Sequence, residues 1–157
     1  MHIHYISEEN SILNHFLAQI RDVNIQKDSM RFRKNIERIG EIMAYELSKT
    51  LDYKNIDVQT PLGIKHTTTI AEPVVLCSIL RAGLALHQGF MSFFDNAENG
   101  FVSAYRHHYN NDDKFEILVE YQAAPSFEGK NLILIDPMLA TGQSLVAVLH
   151  KLHLEHQ

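Results

Sequence analysis

Residues 74–80, Val-Val-Leu-Cys-Ser-Ile-Leu, form a nearly unbroken apolar run that stops at Arg81-Ala82-Gly83. Such a run, without polar alternation, predicts a strand buried on both faces. That kind of strand belongs to a parallel sheet covered by helices, not to a half-solvated antiparallel one. The following residues agree. Residues 84–94 predict a helix, 101–105 a second strand and 132–135 a third, wholly apolar strand. Leu145, Val148, Leu149 and Leu152 then make the stripe of a last helix. Strands alternating with helices indicate an α/β fold with a parallel sheet flanked by helices.

The first half of the chain is of a different kind. Residues 11–21 place Ile12, Phe16, Leu17 and Ile20 on one helical face, and 29–49 do the same with Ile36, Ile39, Met43 and Leu47. Ser29 is placed to cap the second helix. Residues 56–70 change to period two around Pro61-Leu62-Gly63, which predicts a β-hairpin arm suited to pairing with a second subunit. Residues 106–130 are polar and uneven, and predict a mobile loop with a strand at 115–121. No repeat or linker interrupts the chain, so residues 1–157 are expected to be one domain.

Composition narrows the function. No apolar run approaches the roughly 20 residues that span a bilayer. The opening residues lack the basic-then-apolar pattern of a signal peptide, so a cytoplasmic location is the expectation. The formal net charge of −5 argues against nucleic acid or an anionic membrane as partner. The single cysteine, Cys77, cannot form an internal disulfide and is expected to act as a small buried hydrophobe.

The chemistry is concentrated where the third strand ends. Asp136 is followed by Pro137, Met138, Leu139, Ala140, Thr141, Gly142, Gln143 and Ser144, a small-residue loop that opens the last helix. Ligands of open α/β sheets bind at the carboxyl ends of the strands. A helix start offers unpaired N–H groups and partial positive charge to a phosphate. Gly142 permits close backbone approach, Thr141 and Ser144 add hydroxyl donors, and Asp136 can accept from two adjacent ribose hydroxyls. An Asp turn with an ordinary helix cap would have the same bare pattern. The chain has no G-x-x-x-x-G-K-[ST] and no G-x-G-x-x-G, which argues against an ATPase or a dinucleotide enzyme.

The string Asp136-Pro137-Met138-Leu139-Ala140-Thr141-Gly142 resembles the phosphoribosyl pyrophosphate (PRPP) motif of the uracil phosphoribosyltransferases. Ile79-Leu80-Arg81-Ala82-Gly83-Leu84 resembles the I-L-R-A-G-L element of that family, Tyr105-Arg106 its Y-R element and Thr60-Pro61-Leu62-Gly63 its T-P-L-G turn. Glu41 to Leu47 resembles the helix before that turn. The elements occur in family order over most of the chain. The resemblance implies a type I phosphoribosyltransferase-like fold and transfer of phosphoribosyl from PRPP to uracil, giving UMP and pyrophosphate. It assigns catalytic roles to Asp136, Arg81 and Arg106, with the two arginines on the pyrophosphate. PRPP binding falls on those residues and on Pro137 to Ser144. Mg²⁺ would arrive with PRPP, with no protein metal site. GTP, an activator of some members, and a homo-oligomer of two or more subunits are further implied partners.

The sequence departs from the family in three places. Gln143 stands where a small residue is usual, and is expected to face away from the phosphate. His107 and His108 follow Arg106 where acidic residues are common, and His150, His153 and His156 recur along the last helix. Both groups are expected to be solvated rather than metal-binding. Uracil is recognised in the family by a C-terminal segment with no counterpart before Gln157. The domain is therefore expected to be C-terminally incomplete, with little turnover from these residues alone. That expectation keeps open a non-catalytic PRPP- or nucleotide-sensing module. The Asp-Pro-Met-Leu-Ala-Thr-Gly string weighs against a phosphoribosyltransferase for another base.

Overall fold

The computed structural model describes residues 2–108 and 115–155. Two helices come first, α1 (Ile12–Arg21) and α2 (Ser29–Ser48), joined through a single 3-10 turn at Ile25–Lys27. A hairpin follows, β1 (Tyr53–Thr60) and β2 (Gly63–Ile70). Then come β3 (Val74–Leu80), α3 (Leu84–Met91), β4 (Glu98–His108), β5 (Phe115–Ala123), β6 (Asn131–Ile135) and α4 (Gln143–Glu155).

The main sheet has the order β5-β4-β3-β6. β3 runs parallel to both neighbours, with Ser78 opposite Phe101 of β4 and Ile135 of β6. Val74 to Ile79 are all buried, as the apolar run requires. The side-chain period of a strand divides β3 between two cores. Val74 and Leu76 pack with Ile39, Leu86, Phe90, Ile133 and Ile135 beneath α1, α2 and α3. Cys77 and Ile79 pack with Val102, Val148 and Leu152 beneath α4. Burial pushes the Cys77 thiol up to about 11, which suits its expected role as an inert hydrophobe.

Helices α2 and α3 meet backbone to backbone. A β-carbon on Gly89 would lie 2.1 Å from the Glu37 carbonyl oxygen, and one on Gly40 would lie 2.5 Å from that of Leu86. Only glycine permits this approach. The contact seats α3, and therefore the start of its first turn, against the sheet.

Four features differ from the sequence expectation. Asp28, not Ser29, caps α2: its carboxylate accepts from Arg31 N at 3.0 Å, and Ser29 is already helical. A carboxylate is also favoured there by the helix dipole. α3 ends at Met91, short of residue 94. β4 continues past residue 105 to His108 and pairs antiparallel with β5. The sheet is thus parallel at its centre with an antiparallel edge, and the strand expected at 115–121 is present as β5. An edge strand has one solvated face, so its polar residues weaken the strand signal. Residues 109–114 lie outside the described ones.

The β1–β2 hairpin forms its own sheet around a two-residue turn, with Thr60 opposite Gly63. The Thr60 hydroxyl closes the turn, donating to the Gly63 carbonyl at 2.7 Å and accepting from Leu62 N at 3.2 Å. Leu62 at the tip is 100% exposed, and Val58 and Ile64 are exposed beside it.

Gly89→Ala should therefore cost stability at the upper end of core overpacking, roughly 3 kcal/mol. Urea unfolding monitored by circular dichroism checks this, and an unchanged midpoint would show that α2 and α3 can separate freely.

Candidate functional site

β6 ends on buried Ile135, and the chain leaves the sheet at half-buried Asp136. The Asp136 carboxylate accepts from Met138 N at 3.3 Å, which bends the chain into an Asx-type turn. Residues 137–141 are exposed. Gly142 has φ +76, a left-handed conformation that side chains resist, and it delivers the chain directly into α4. Thr141 Oγ1 accepts a long bond from Gln143 N at 3.5 Å, and Val146 N reaches back to the Gly142 carbonyl at 3.0 Å. The amides before that bond have no acceptor within the helix, and they lie at its positive end.

This loop forms one wall of a cleft of about 230 Å³. Asp136 and residues 138–145 line one side, and Ile79, Leu80, Ala82 and Ala104 line the other. Among the described lining residues Asp136 is the one charged group, so positive potential comes from backbone dipoles and hydroxyls. Hydrogen bonds to a charged partner contribute roughly 1.5–3 kcal/mol each, and a dipole end alone about 0.3–1 kcal/mol. A bound phosphate would thus depend chiefly on how many amides it reaches. Gln143 is exposed and lines the same cleft.

Arg81 is exposed on the turn between β3 and α3, after a cis Leu80–Arg81 peptide. It lines a wider cleft of about 870 Å³ with Leu80, Ala82, Ser103 and Ala104. The two clefts share Leu80, Ala82 and Ala104, so Arg81 stands beside the Asp136 loop. Gly83 fixes their spacing. A β-carbon there would lie 2.8 Å from the Ile79 carbonyl oxygen and 3.1 Å from that of Ile135, the residue before Asp136.

The expected site residues are not all in one place. Asp136, Met138, Leu139, Ala140, Thr141, Gly142, Gln143 and Ser144 share the cleft. Pro137 instead faces a separate crevice of about 280 Å³, shared with residues 4–7. Arg106 lies in β4 opposite Ile117 of β5, beyond the last residue that β4 pairs with β3; its side chain lies outside the described ones. The same holds for the side chains of His107, His108, His153 and His156, while His150 is exposed. The apolar wall carries no signal of its own in the sequence, where Ile79, Leu80 and Ala104 read as ordinary strand residues.

A second polar group lies under the Arg81 turn. His87 of α3 is 3% exposed and Ser78 of β3 is 0% exposed. Ser78 Oγ lies 2.6 Å from His87 Nδ1, and His87 Nε2 lies 2.8 Å from Asn99 Oδ1. Asn99 Nδ2 donates to the Ala97 carbonyl at 3.3 Å, which leaves Asn99 Oδ1 as an acceptor. His87 Nε2 must then donate, and Nδ1 accepts the Ser78 hydroxyl proton. Burial lowers the His87 pKa from its ordinary 6.5, an effect that the Asn99 bond partly opposes.

The family model described as uracil phosphoribosyltransferase matches residues 7–157. A curated uracil phosphoribosyltransferase of Porphyromonas gingivalis is 50% identical over 145 residues, 92% of this chain and 67% of that protein. The chain belongs to the uracil phosphoribosyltransferase family. Its similarity extends to a curated uracil phosphoribosyltransferase of Methanothermobacter thermautotrophicus, 36% identical over 92% of this chain and 66% of that protein. The chain thus spans about two thirds of the length of these relatives. A solved structure from Aquifex aeolicus superposes with a TM-score of 0.79 at 29% identity, covering 96% of this chain and 70% of that one. A hypoxanthine phosphoribosyltransferase from Staphylococcus aureus superposes with a TM-score of 0.53 at 17% identity, over 79% of this chain and 58% of that one. The fold is therefore that of the type I phosphoribosyltransferases.

The lowered His87 pKa sets a direction for stability. The unfolded chain takes up a proton near pH 6.5 that the folded chain resists, so stability from this group is full above that pH and falls as pH drops through it. Urea unfolding of the wild type and His87→Gln at pH 7.5 and 5.5 should show a smaller loss on acidification for the variant. Equal losses would remove His87 as a contributor.

Proposed function

We propose that the paired clefts bind PRPP and that the protein transfers its phosphoribosyl group to uracil, giving UMP and pyrophosphate. One observation carries this reading: Asp136 and the loop opening α4 line a single cleft, with Arg81 on the adjoining one. The 5′-phosphate sits on the amides and hydroxyls of Thr141 to Ser144. The ribose hydroxyls donate to Asp136. The pyrophosphate lies toward Arg81, whose fork of donors suits phosphate oxygens, with Arg106 in the same role. Family membership and the names of the curated relatives support the choice of uracil.

In the reaction the bond from ribose C1 to the pyrophosphate oxygen breaks and its electron pair leaves with pyrophosphate. Uracil N1 supplies the pair for the new C–N bond and loses its proton. The protein's part is to hold donor and acceptor in line and to stabilise charge on the leaving group. Mg²⁺ would arrive held by pyrophosphate oxygens and water, where it would shield leaving-group charge. The reaction is a pyrimidine salvage step in the cytoplasm. The exposed arm, with Val58, Leu62 and Ile64, serves pairing with a second copy.

Calorimetric titration with PRPP and Mg²⁺, beside an assay of uracil-dependent UMP formation, tests this reading. Arg81→Ala and Asp136→Asn should each weaken PRPP binding at least about tenfold, the scale of one lost charge-assisted contact. Gln143→Gly should stay within about threefold of wild type, because an exposed side chain at the cleft edge contributes little. PRPP binding that survives both Arg81→Ala and Asp136→Asn would overturn the assignment. Binding without UMP, both by this chain and by a version extended with natural C-terminal sequence, would point to a sensing role.

A further inference from the structure

We propose that His87 is a positioning residue for this phosphate site: through Ser78 and Asn99 it clasps the 80–83 turn and so holds Arg81 where the pyrophosphate arrives. The inference rests on the reading of the clefts as a PRPP site.

His87 is 3% exposed and lines neither cleft, so its effect on a ligand would pass through its neighbours. Its place in the chain is what matters. Ser78 precedes the turn on β3, and His87 follows it in α3. The 2.6 Å bond between them spans the base of the turn. Backbone bonds complete the loop, from Gly83 N to the Ile79 carbonyl at 3.0 Å and from His87 N to the Gly83 carbonyl at 2.8 Å. Gly83 sits so close to Ser78 that a β-carbon on it would be 3.2 Å from the serine Cβ. On its far side the imidazole reaches Asn99 of β4 at 2.8 Å, and its ring lies 5.0 Å from that of Phe101. The clasp thus joins β3, α3 and β4, the elements that place Arg81 and the wall at Ala104.

The polarity of the clasp argues for more than packing. Ser78 follows Val74 and Leu76 on the face that packs beneath α3, where an apolar pair would fill the space without a desolvation cost. A fully satisfied hydrogen-bonded pair instead admits one geometry, whereas apolar contacts tolerate several. Phosphate recognition by a guanidinium needs that precision, because the fork must meet the oxygens in a fixed direction.

The test compares His87→Leu, His87→Gln and Ser78→Ala with the wild type. Each is titrated with PRPP and Mg²⁺ at a temperature where circular dichroism shows it fully folded. His87→Leu keeps volume and removes both polar contacts, and should weaken PRPP binding by about tenfold, as expected when a contact group is misplaced. His87→Gln retains one donor and one acceptor, and should return affinity to within about threefold of wild type. Ser78→Ala should fall between them and decides the matter if His87→Leu does not fold. Folded His87→Leu, or Ser78→Ala in its place, binding as wild type does would overturn the proposal and leave the clasp a packing feature. A wild type that fails to bind PRPP would instead overturn the reading of the clefts, and the positioning role with it.

Discussion

The parallel hydrogen bonding of β3 to both β4 and β6 is the constraint on which the site depends. It brings the carboxyl ends of those strands to one edge of the sheet, although they are far apart in sequence. Arg81 follows β3, Asp136 follows β6, and Ala104 lies on β4 beyond the end of β3. Antiparallel pairing would have sent at least one of these groups to the opposite edge. Parallel pairing in turn requires β3 to be buried on both faces, which is why its sequence is apolar almost throughout.

Close backbone contact then sets distances that side chains could not. Gly83 rests against the Ile79 and Ile135 carbonyls and ties the Arg81 turn to the residue before Asp136. Gly40 and Gly89 seat α3 on α2. Gly142 turns the chain into α4 with its amides at the cleft. Each glycine acts through a stated clash or a positive φ, and together they leave little freedom between the two clefts. A phosphate site of the kind proposed, made largely of backbone, needs such rigidity, because amide donors cannot adjust by changing rotamer.

Legibility in the sequence followed the length scale of the interactions. β3, β6 and the loop opening α4 were readable because their signals are local: apolar runs, an Asp turn and a glycine before a helix. The cap of α2 was misread by one residue, since Asp28 and Ser29 are both good capping types and the backbone chooses between them. The strands at 101–105 and 115–121 are legible in part, but the ends of β4 and its antiparallel pairing with β5 are not, because half-solvated strands carry weak apolar signals. The Ser78–His87–Asn99 clasp could not be read at all. Its members are separated by 9 and 12 residues and meet only when α3 folds back over β3 and β4. Pro137 belongs to the recognised motif, yet the fold turns it toward residues 4–7.

The most direct measurement is the amide spectrum of ¹⁵N-labelled protein titrated with PRPP and Mg²⁺. If the start of α4 holds the 5′-phosphate, the largest shifts should fall on the amides of Gly142, Gln143 and Ser144, with further changes at Asp136 and Arg81. Saturable binding that leaves those amides unmoved, or moves only residues elsewhere, would contradict it.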